Sequence, residues 1–336
     1  MRIIECADLH FSSYSQDRID PKTKLPERLS GLTYAMDDMI RYGRENSIKN
    51  IAILGDTLHN KSIIHSIAQS VFLDIVRKNR DIHFIILDGN HDMSSMTGDG
   101  VSATKCLDTE VNVTTIHKTS QIENMLFVPW DPNSMINDIK NGKSDYLMAH
   151  FGLNEAVVNS GISLVSDIGL NDLKQYKRVH LGHYHTPQSV GNAVYIGSLI
   201  HLDGNDKNQV KRFLVVDTNT GEEKSIPSKG YKQYVEIDIS KDTKDDFKEI
   251  IYKLKQNGDH VKINKIDDVD LSDIEDDFNI VNKVEKDITN RGITSGMSSA
   301  DKLDRYMEIK EIPAEKRNEY KNIALDIIDK ISSEGK

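Results

Sequence analysis

Cysteine is scarce. Cys6 and Cys106 are the only two in 336 residues, they form no CxxC pair, and they allow at most one bridge, which excludes a disulfide framework. Cys6 falls inside the first apolar run and reads as a buried, inert thiol, in keeping with a reducing cytosol. Long apolar stretches are also missing. No window approaches the roughly 20 residues that cross a bilayer, so no membrane span is expected. The first residues, MRIIECADLHF, read as a strand entering a polar loop and lack the features of a signal peptide. The expected location is therefore cytoplasmic. Positive charge is in deficit, with 43 Lys and Arg against 53 Asp and Glu and a net charge of −10. That balance argues against a broad basic nucleic-acid face. The acids concentrate late in the chain, as in 267–277 (DDVDLSDIEDD), and bound divalent metals would reverse the sign locally. No internal repeat is visible.

What is present is a core. Apolar residues make up 38% of the chain and charged residues 29%, a globular composition whose length suggests about two domains. Apolar strand-like runs occupy 2–8, 50–55, 83–89, 125–130, 145–150, 178–183, 193–198 and 212–218, several continuous enough to be covered on both faces. Segment 27–47 carries Leu29, Leu32, Met36, Met39 and Ile40 at helical spacing, and 63–79 carries Ile67, Val71 and Ile75. Strands alternating with helices imply a layered α/β fold. From about residue 230 the texture becomes a small α+β unit: strands at 234–240, 260–266 and 279–287, a helix at 245–258 and a short helix within 270–278. A Gly/Ser/Thr-rich linker follows at 289–300, then helices at 301–309 and 314–332, separated by Pro313.

The informative residues sit at strand ends. Asp8 and His10 close the first strand, Asp56 the second, Asn90-His91-Asp92 the third; His150 closes the strand from 145, and His183 and His185 the strand from 178. Loops after buried strands gather at one edge of such a fold, where ligands bind. Asp, neutral His and the Asn carbonyl suit Mn, Fe or Zn. In DxH and HxH, residues two apart in extended chain point the same way. Gly55, Gly89, Gly152 and Gly182 are expected to let the backbone turn sharply beside the site. Asp56 could bridge two ions about 3.5–4 Å apart, which clamp a phosphoryl oxygen and activate water. Each piece alone is commonplace; five in order, each at a strand end, point to a metal centre. Elsewhere the bland reading holds. His65 and His83 read as surface or packing residues, His117, His180, His201 and His260 fit no motif, and Trp130 reads as a packing anchor.

The order DxH, GD, GNHD, lone His and GHxH over roughly 1–220 resembles the calcineurin-like metallophosphoesterases. Their fold is four-layered, a two-layered β-sandwich flanked by helices. Within them the chain looks most like the SbcD-type DNA repair nucleases, especially the small subunits of T-even-like phage recombination endonucleases. His59 stands three residues beyond Asp56, the GDxxDRG of protein phosphatases is absent, and Met148–Asn154 and Tyr195–Ser198 match the nuclease pattern. The resemblance implies one metal on Asp8, His10, Asp56 and His185 and a second on Asp56, Asn90, His150 and His183, with Mn²⁺ favoured. His91 would stabilise the transition state and protonate the leaving oxygen. Asp92 would orient His91 or cap the following turn, and His59 would face the scissile phosphate.

The same resemblance implies the domain plan and the partners. A nuclease domain would span 1–228, a capping domain 229–288, the linker 289–300, and docking helices 301–336. Those helices would bind an SMC-like ABC ATPase of SbcC type, using Leu303, Met307, Ile312, Ile323, Ile327 and Ile331. A homodimer is implied through catalytic-domain helices, with 27–47 and 63–79 as candidates, and the location becomes the host cytoplasm for a phage protein. DNA would be held mainly by its phosphates, with Lys22, Lys24, Arg28, Lys61 and Lys105 in or near loops bordering the site. The expected activity is Mn-dependent exo/endonucleolytic cleavage in recombination, repair and DNA degradation. The alternative is a phosphodiesterase for small phosphoesters or cyclic nucleotides.

Overall fold

The computed structural model describes residues 1–14, 16–59, 63–158, 165–241, 243, 247–267, 269–274, 277–282, 297–310 and 312–334. The chain divides into two compact units. One comprises 1–236 with 245–262, the other 237–244 with 263–336.

The first unit is built on twelve strands: β1 (Arg2–Cys6), β2 (Asn50–Leu54), β3 (His83–Leu87), β4 (Val113–Ile116), β5 (Ser120–Ile122), β6 (Met125–Val128), β7 (Tyr146–His150), β8 (Arg178–Gly182), β9 (Gln188–Val190), β10 (Ala193–Tyr195), β11 (Arg212–Asp217) and β12 (Glu222–Pro227). They form two six-stranded sheets, ordered β12-β11-β1-β2-β3-β4 and β5-β6-β7-β8-β10-β9. The centre of each sheet is parallel, β1 through β4 in one and β6-β7-β8-β10 in the other. The antiparallel pairs lie outside these runs.

Side-chain alternation makes the layers. Ile3 on β1 and Ala7 just after it face the other sheet while Ile4 and Cys6 face the helices; on β2, Ala52 and Leu54 look inward, Ile51 and Ile53 outward. The sandwich interior closes with Met125, Phe127 and Met148 from the second sheet. Helix α1 (Glu27–Glu45) buries Leu29, Leu32, Met36, Met39 and Ile40, and α2 (Ser66–Lys78) buries Ala68, Phe72, Ile75 and Val76 on the outer face of the first sheet. On the second sheet's outer face, α3 (Met135–Asn141) contributes Met135 and Ile139. The expected four layers are present. Each fully buried Ile, Leu or Phe contributes about 1.5–3 kcal/mol, so the strand ends stand on a rigid floor.

The departures from the sequence reading have physical causes. Most core strands end one to three residues before their apolar runs do, and after β1, β2, β3 and β8 those last residues turn into the site; β7 runs to His150, the end of its apolar run. The missed strands β4, β5, β9 and β12 are the four sheet edges, short or half-exposed and so poorly marked by apolar runs. Segment 63–79 shortens to α2, and its stripe is shifted. Ala68, Phe72 and Val76 are buried while Ile63, Ile64 and Ile67 are 66%, 42% and 39% exposed.

The division between units falls inside the expected capping domain. Strand β13 (Tyr234–Ile239) and β14 (His260–Lys265) run through both units, pair with each other, and β15 (Asn279–Asn282) completes a three-stranded sheet. Helix α4 (Phe247–Gln256) belongs to the first unit. The expected short helix is a turn at 272–274; like-charged Asp and Glu at helical spacing disfavour a helix there. The end of the expected strand 279–287 and most of the linker, 289–296, lie outside the described residues. Ser299 and Ala300 already belong to α5 (Ser299–Ile309), whose first turn is capped by the Ser298 hydroxyl accepting from the Asp301 amide at 3.1 Å. Helix α6 (Ala314–Glu334) follows, with Lys321 paired to Asp304 of α5. Of the docking stripe, Met307 is buried, Leu303 and Ile312 are half-buried and Ile323 is exposed; the side chains of Ile327 and Ile331 lie outside the described part.

Candidate metal centre

Parallel β1, β2 and β3 deliver Asp8, His10, Asp56, Asn90 and His91 to one edge, and parallel β7 and β8 deliver His150, His183 and His185 to the same place. The two sheets are tied together there. His183 N–H donates to Asp8 Oδ1 at 2.9 Å, and His150 Nδ1 donates to the Leu54 carbonyl at 2.9 Å. Asp8, His10, Asp56 and His183 all have left-handed backbone, at φ 52°, 50°, 52° and 97°. For non-glycine residues that conformation is costly and collects at functional sites. Of the four glycines, only Gly55 uses a positive φ, 85°. The others matter for proximity: a Cβ on Gly89 would lie 2.3 Å from the Asp56 amide nitrogen, one on Gly182 2.1 Å from the Leu54 carbonyl, and one on Gly152 2.7 Å from the Tyr184 hydroxyl.

Two overlapping groups result. His10 Nε2 lies 3.2 Å from His185 Nε2 and 3.6 Å from Asp56 Oδ2, and ligand atoms of Asp8, His10 and His185 lie within 4.8 Å of one another. Asp56 Oδ2 is also 3.2 Å from His150 Nε2; Asn90 Oδ1 is 3.2 Å from the same nitrogen and 3.1 Å from His183 Nδ1. All seven expected ligands are thus brought together, with Asp56 between the two groups. A third set, His10 with His59 and His91, shares His10 and extends the first.

The donor set fits a divalent cation. When His150 is neutral, its Nδ1 proton goes to the Leu54 carbonyl and its Nε2 presents a lone pair to Asp56 Oδ2 and Asn90 Oδ1. Three acceptors this close repel unless positive charge stands among them. The same demand governs the protonation equilibria. Burial alone would lower His150, but Asp56 and Asp8 outweigh it and push it up to about 9. Burial, then His150, holds His183 down at about 3, and burial keeps His10 well below the ordinary histidine range. Two neutral imidazoles ready to ligate therefore flank a point that attracts cations.

The remaining expected residues take distinct positions. His91 N–H donates to Asp56 Oδ1 at 2.8 Å, and its Nδ1 donates to the His59 carbonyl at 2.6 Å. The two rings stack 5.5 Å apart at 19°. His59 Nδ1 is 3.1 Å from His10 Nδ1, and burial, then Arg28, lowers it to about 4. Asp92 does not orient His91. Its buried carboxylate accepts from the Gly89, Thr57 and Leu58 amides at 2.9, 3.2 and 2.9 Å, clamping the loop after β3 to the loop after β2. The orienting contact on His91 is the His59 carbonyl.

A model of the calcineurin-like phosphoesterases matches residues 1–198, and the chain belongs to that family. It is a hydrolase of a kind that uses divalent metals. Exonuclease subunit 1 of Enterobacteria phage T4 is 25% identical over 244 residues, 68% of each chain. Among solved structures, a dimetal phosphatase from Danio rerio is 11% identical with a TM-score of 0.40, covering 68% of this chain and 99% of that one. The Pseudomonas putida nuclease MPE is 12% identical with a TM-score of 0.31, covering 72% and 80%. No described helix is long and apolar enough to cross a membrane.

Sequence reasoning missed Lys211, which is fully buried. Its Nζ donates at 2.8 Å to the His185 carbonyl, to Asp206 Oδ1 and to Gln209 Oε1, pinning the backbone of a candidate ligand. It also missed His201 and His260, which line a cavity beside the centre. No local pattern marks them. Of the candidate DNA-contacting cations, Arg28 lines that cavity and Lys61 lies outside the described residues.

Proposed function

We propose that this chain is the Mn²⁺-dependent nuclease subunit of an SbcCD-like complex, hydrolysing DNA phosphodiesters in recombination, repair and DNA degradation. The observation that carries this reading is the His59–His91 pair. A histidine three residues past Asp56 lies over one side of the centre, stacked on His91 and lending it a carbonyl. The 25% identity to the phage T4 exonuclease subunit supports the same reading.

Asp8, His10, Asp56 and His185 would hold one ion and Asp56, Asn90, His150 and His183 the other. When bound, the ions neutralise phosphoryl oxygens and supply an activated water. The nitrogen-rich donor set favours Mn²⁺ over Mg²⁺. With its Nδ1 proton engaged by His59, His91 has Nε2 as the nitrogen that gives a proton to the departing sugar oxygen. Asp92 holds the two loops at fixed separation. Helices α5 and α6 would dock an SMC-like ATPase, with Ile323, 52% exposed, on the docking face. The exposed Ile63 and Ile64 just before α2 and Ile67 in its first turn would pair two copies.

With Mn²⁺, the intact protein should cleave linear DNA, and His91→Ala should lower the rate about 10²–10⁴-fold while calorimetry still registers Mn²⁺ binding. Turnover of a small phosphodiester without DNA cleavage, even with the ATPase present, would move the assignment to a small-molecule phosphodiesterase. Removal of 300–336 should abolish ATPase capture in a pull-down; retained capture would place the docking surface elsewhere.

A further inference from the structure

A cavity of about 580 Å³ in the first unit begins at the centre, where His10, His59 and His185 form its end. Its size falls within the roughly 300–1,000 Å³ of small-ligand sites. Tyrosine and histidine rings dominate its walls, with two arginines among them. Tyr14 meets His59 edge-on at 5.7 Å, and the Arg28 guanidinium carbon lies 4.1 Å over the Tyr14 ring. Farther out stands a column of rings, with Tyr234 stacked on His260 at 4.5 Å and 18° and on His201 at 6.4 Å and 28°. His201 is locked by the Tyr234 amide on one nitrogen and the Gln209 carbonyl on the other, at 2.9 and 2.8 Å. That fixes the inner end of the column.

Two observations say what would enter. Among the described residues, Arg28 Nη2 is buried without a hydrogen-bond partner, an expensive state for a guanidinium donor unless a ligand supplies the acceptor. The cavity's ionic lining is also balanced, with Asp17, Glu27 and Asp203 against Arg18, Arg28 and Lys232. A run of phosphates would meet carboxylates along this wall. One phosphate at Arg28 with a flat base against the rings calls for a single cation.

We propose that the cavity receives one unpaired nucleotide flanking the scissile phosphate. Its base lies against the Tyr234–His260 column and a phosphate oxygen meets Arg28. A strand that is single-stranded or frayed where it is cut is therefore favoured, since a paired base must first be unpaired and unstacked before it can enter. Because every base has a flat face, the requirement is for an unpaired nucleotide and not for a sequence. The proposal rests on the nuclease reading above.

The test uses the full-length protein with Mn²⁺. In a His91→Ala background, which keeps the strand intact, anisotropy of a labelled oligothymidylate should show Kd rising about tenfold for Tyr234→Ala and again for Arg28→Gln, with Tyr234→Phe close to the parent. In the otherwise unmutated enzyme, each of the two substitutions should slow oligothymidylate cleavage about tenfold more than it slows bis(p-nitrophenyl) phosphate. Single strands should be cut well ahead of blunt duplex. Kd values within twofold of the parent for both variants, or equal cutting of paired and unpaired phosphates, would overturn the cavity's role and leave the nuclease standing. Hydrolysis of the small diester with no DNA cleavage would remove both.

Discussion

His180 offers the sharpest test of the fold's electrostatics. It lies on β8, and Glu5 lies on the inward face of β1, so the two meet inside the sandwich. Both are fully buried, with His180 Nδ1 2.6 Å from Glu5 Oε2. The contact is an ion pair when His180 is protonated. On the other side, His180 Nε2 donates to Glu223 Oε1 at 3.1 Å, and Arg178 grips the same carboxylate at 2.8–3.1 Å. Burial alone would lower His180, but Glu5 and Glu223 outweigh it and push it up to about 9. The folded state therefore binds this proton more tightly than the unfolded chain, whose value is about 6.5. The stabilisation is complete below pH 6.5, fades as pH rises toward 9, and is gone above it. That interval corresponds to on the order of 3 kcal/mol. His180→Gln keeps a donor but loses the charge, leaving Glu5 buried without a cation, which costs about 3–5 kcal/mol. Urea unfolding followed by the single tryptophan, Trp130, which packs on the second sheet's outer core, should show this gap at pH 6.5. By pH 9.5 it should shrink by roughly 3 kcal/mol. A gap of equal size at both pH values would mean that His180 is not charged in the fold.

Two further predictions concern the supports of the centre. Gly182→Ala places a methyl 2.1 Å from the Leu54 carbonyl and 2.6 Å from His150 Nδ1. It should cost about 1–3 kcal/mol and weaken Mn²⁺ binding about 10–100-fold by calorimetry. Gly204→Ala, whose new methyl would meet only the Tyr234 ring at 3.9 Å among the described residues, should change stability by less than about 0.5 kcal/mol. Lys211→Met takes the cation from buried Asp206 and the donor from the His185 carbonyl. A loss of about 3–5 kcal/mol is expected, and the Asp206→Asn, Lys211→Met double variant should recover part of it in denaturation midpoints.

The legible parts of this chain were those where local pattern and tertiary role coincide. The α1 stripe Leu29, Leu32, Met36, Met39 and Ile40 is buried as its spacing implies, because a surface helix has one face to hide. The seven candidate ligands converge because a parallel strand end fixes where its next residues go, whatever the rest of the chain does. The illegible parts depend on partners distant in sequence. Asp92 looked like an adjunct of its neighbour His91, yet its partners include residues 34 and 35 positions away. Glu5, His180 and Lys211 carry no motif, since a buried charge is defined by what surrounds it. The cavity wall joins Tyr14 and Arg28 to Tyr234 and His260, more than 200 residues later, and only the fold makes them neighbours. A negative net charge therefore says little about the substrate. What meets a nucleic acid here would be a few residues, Arg28 among them, and the surplus acid concentrates late in the chain.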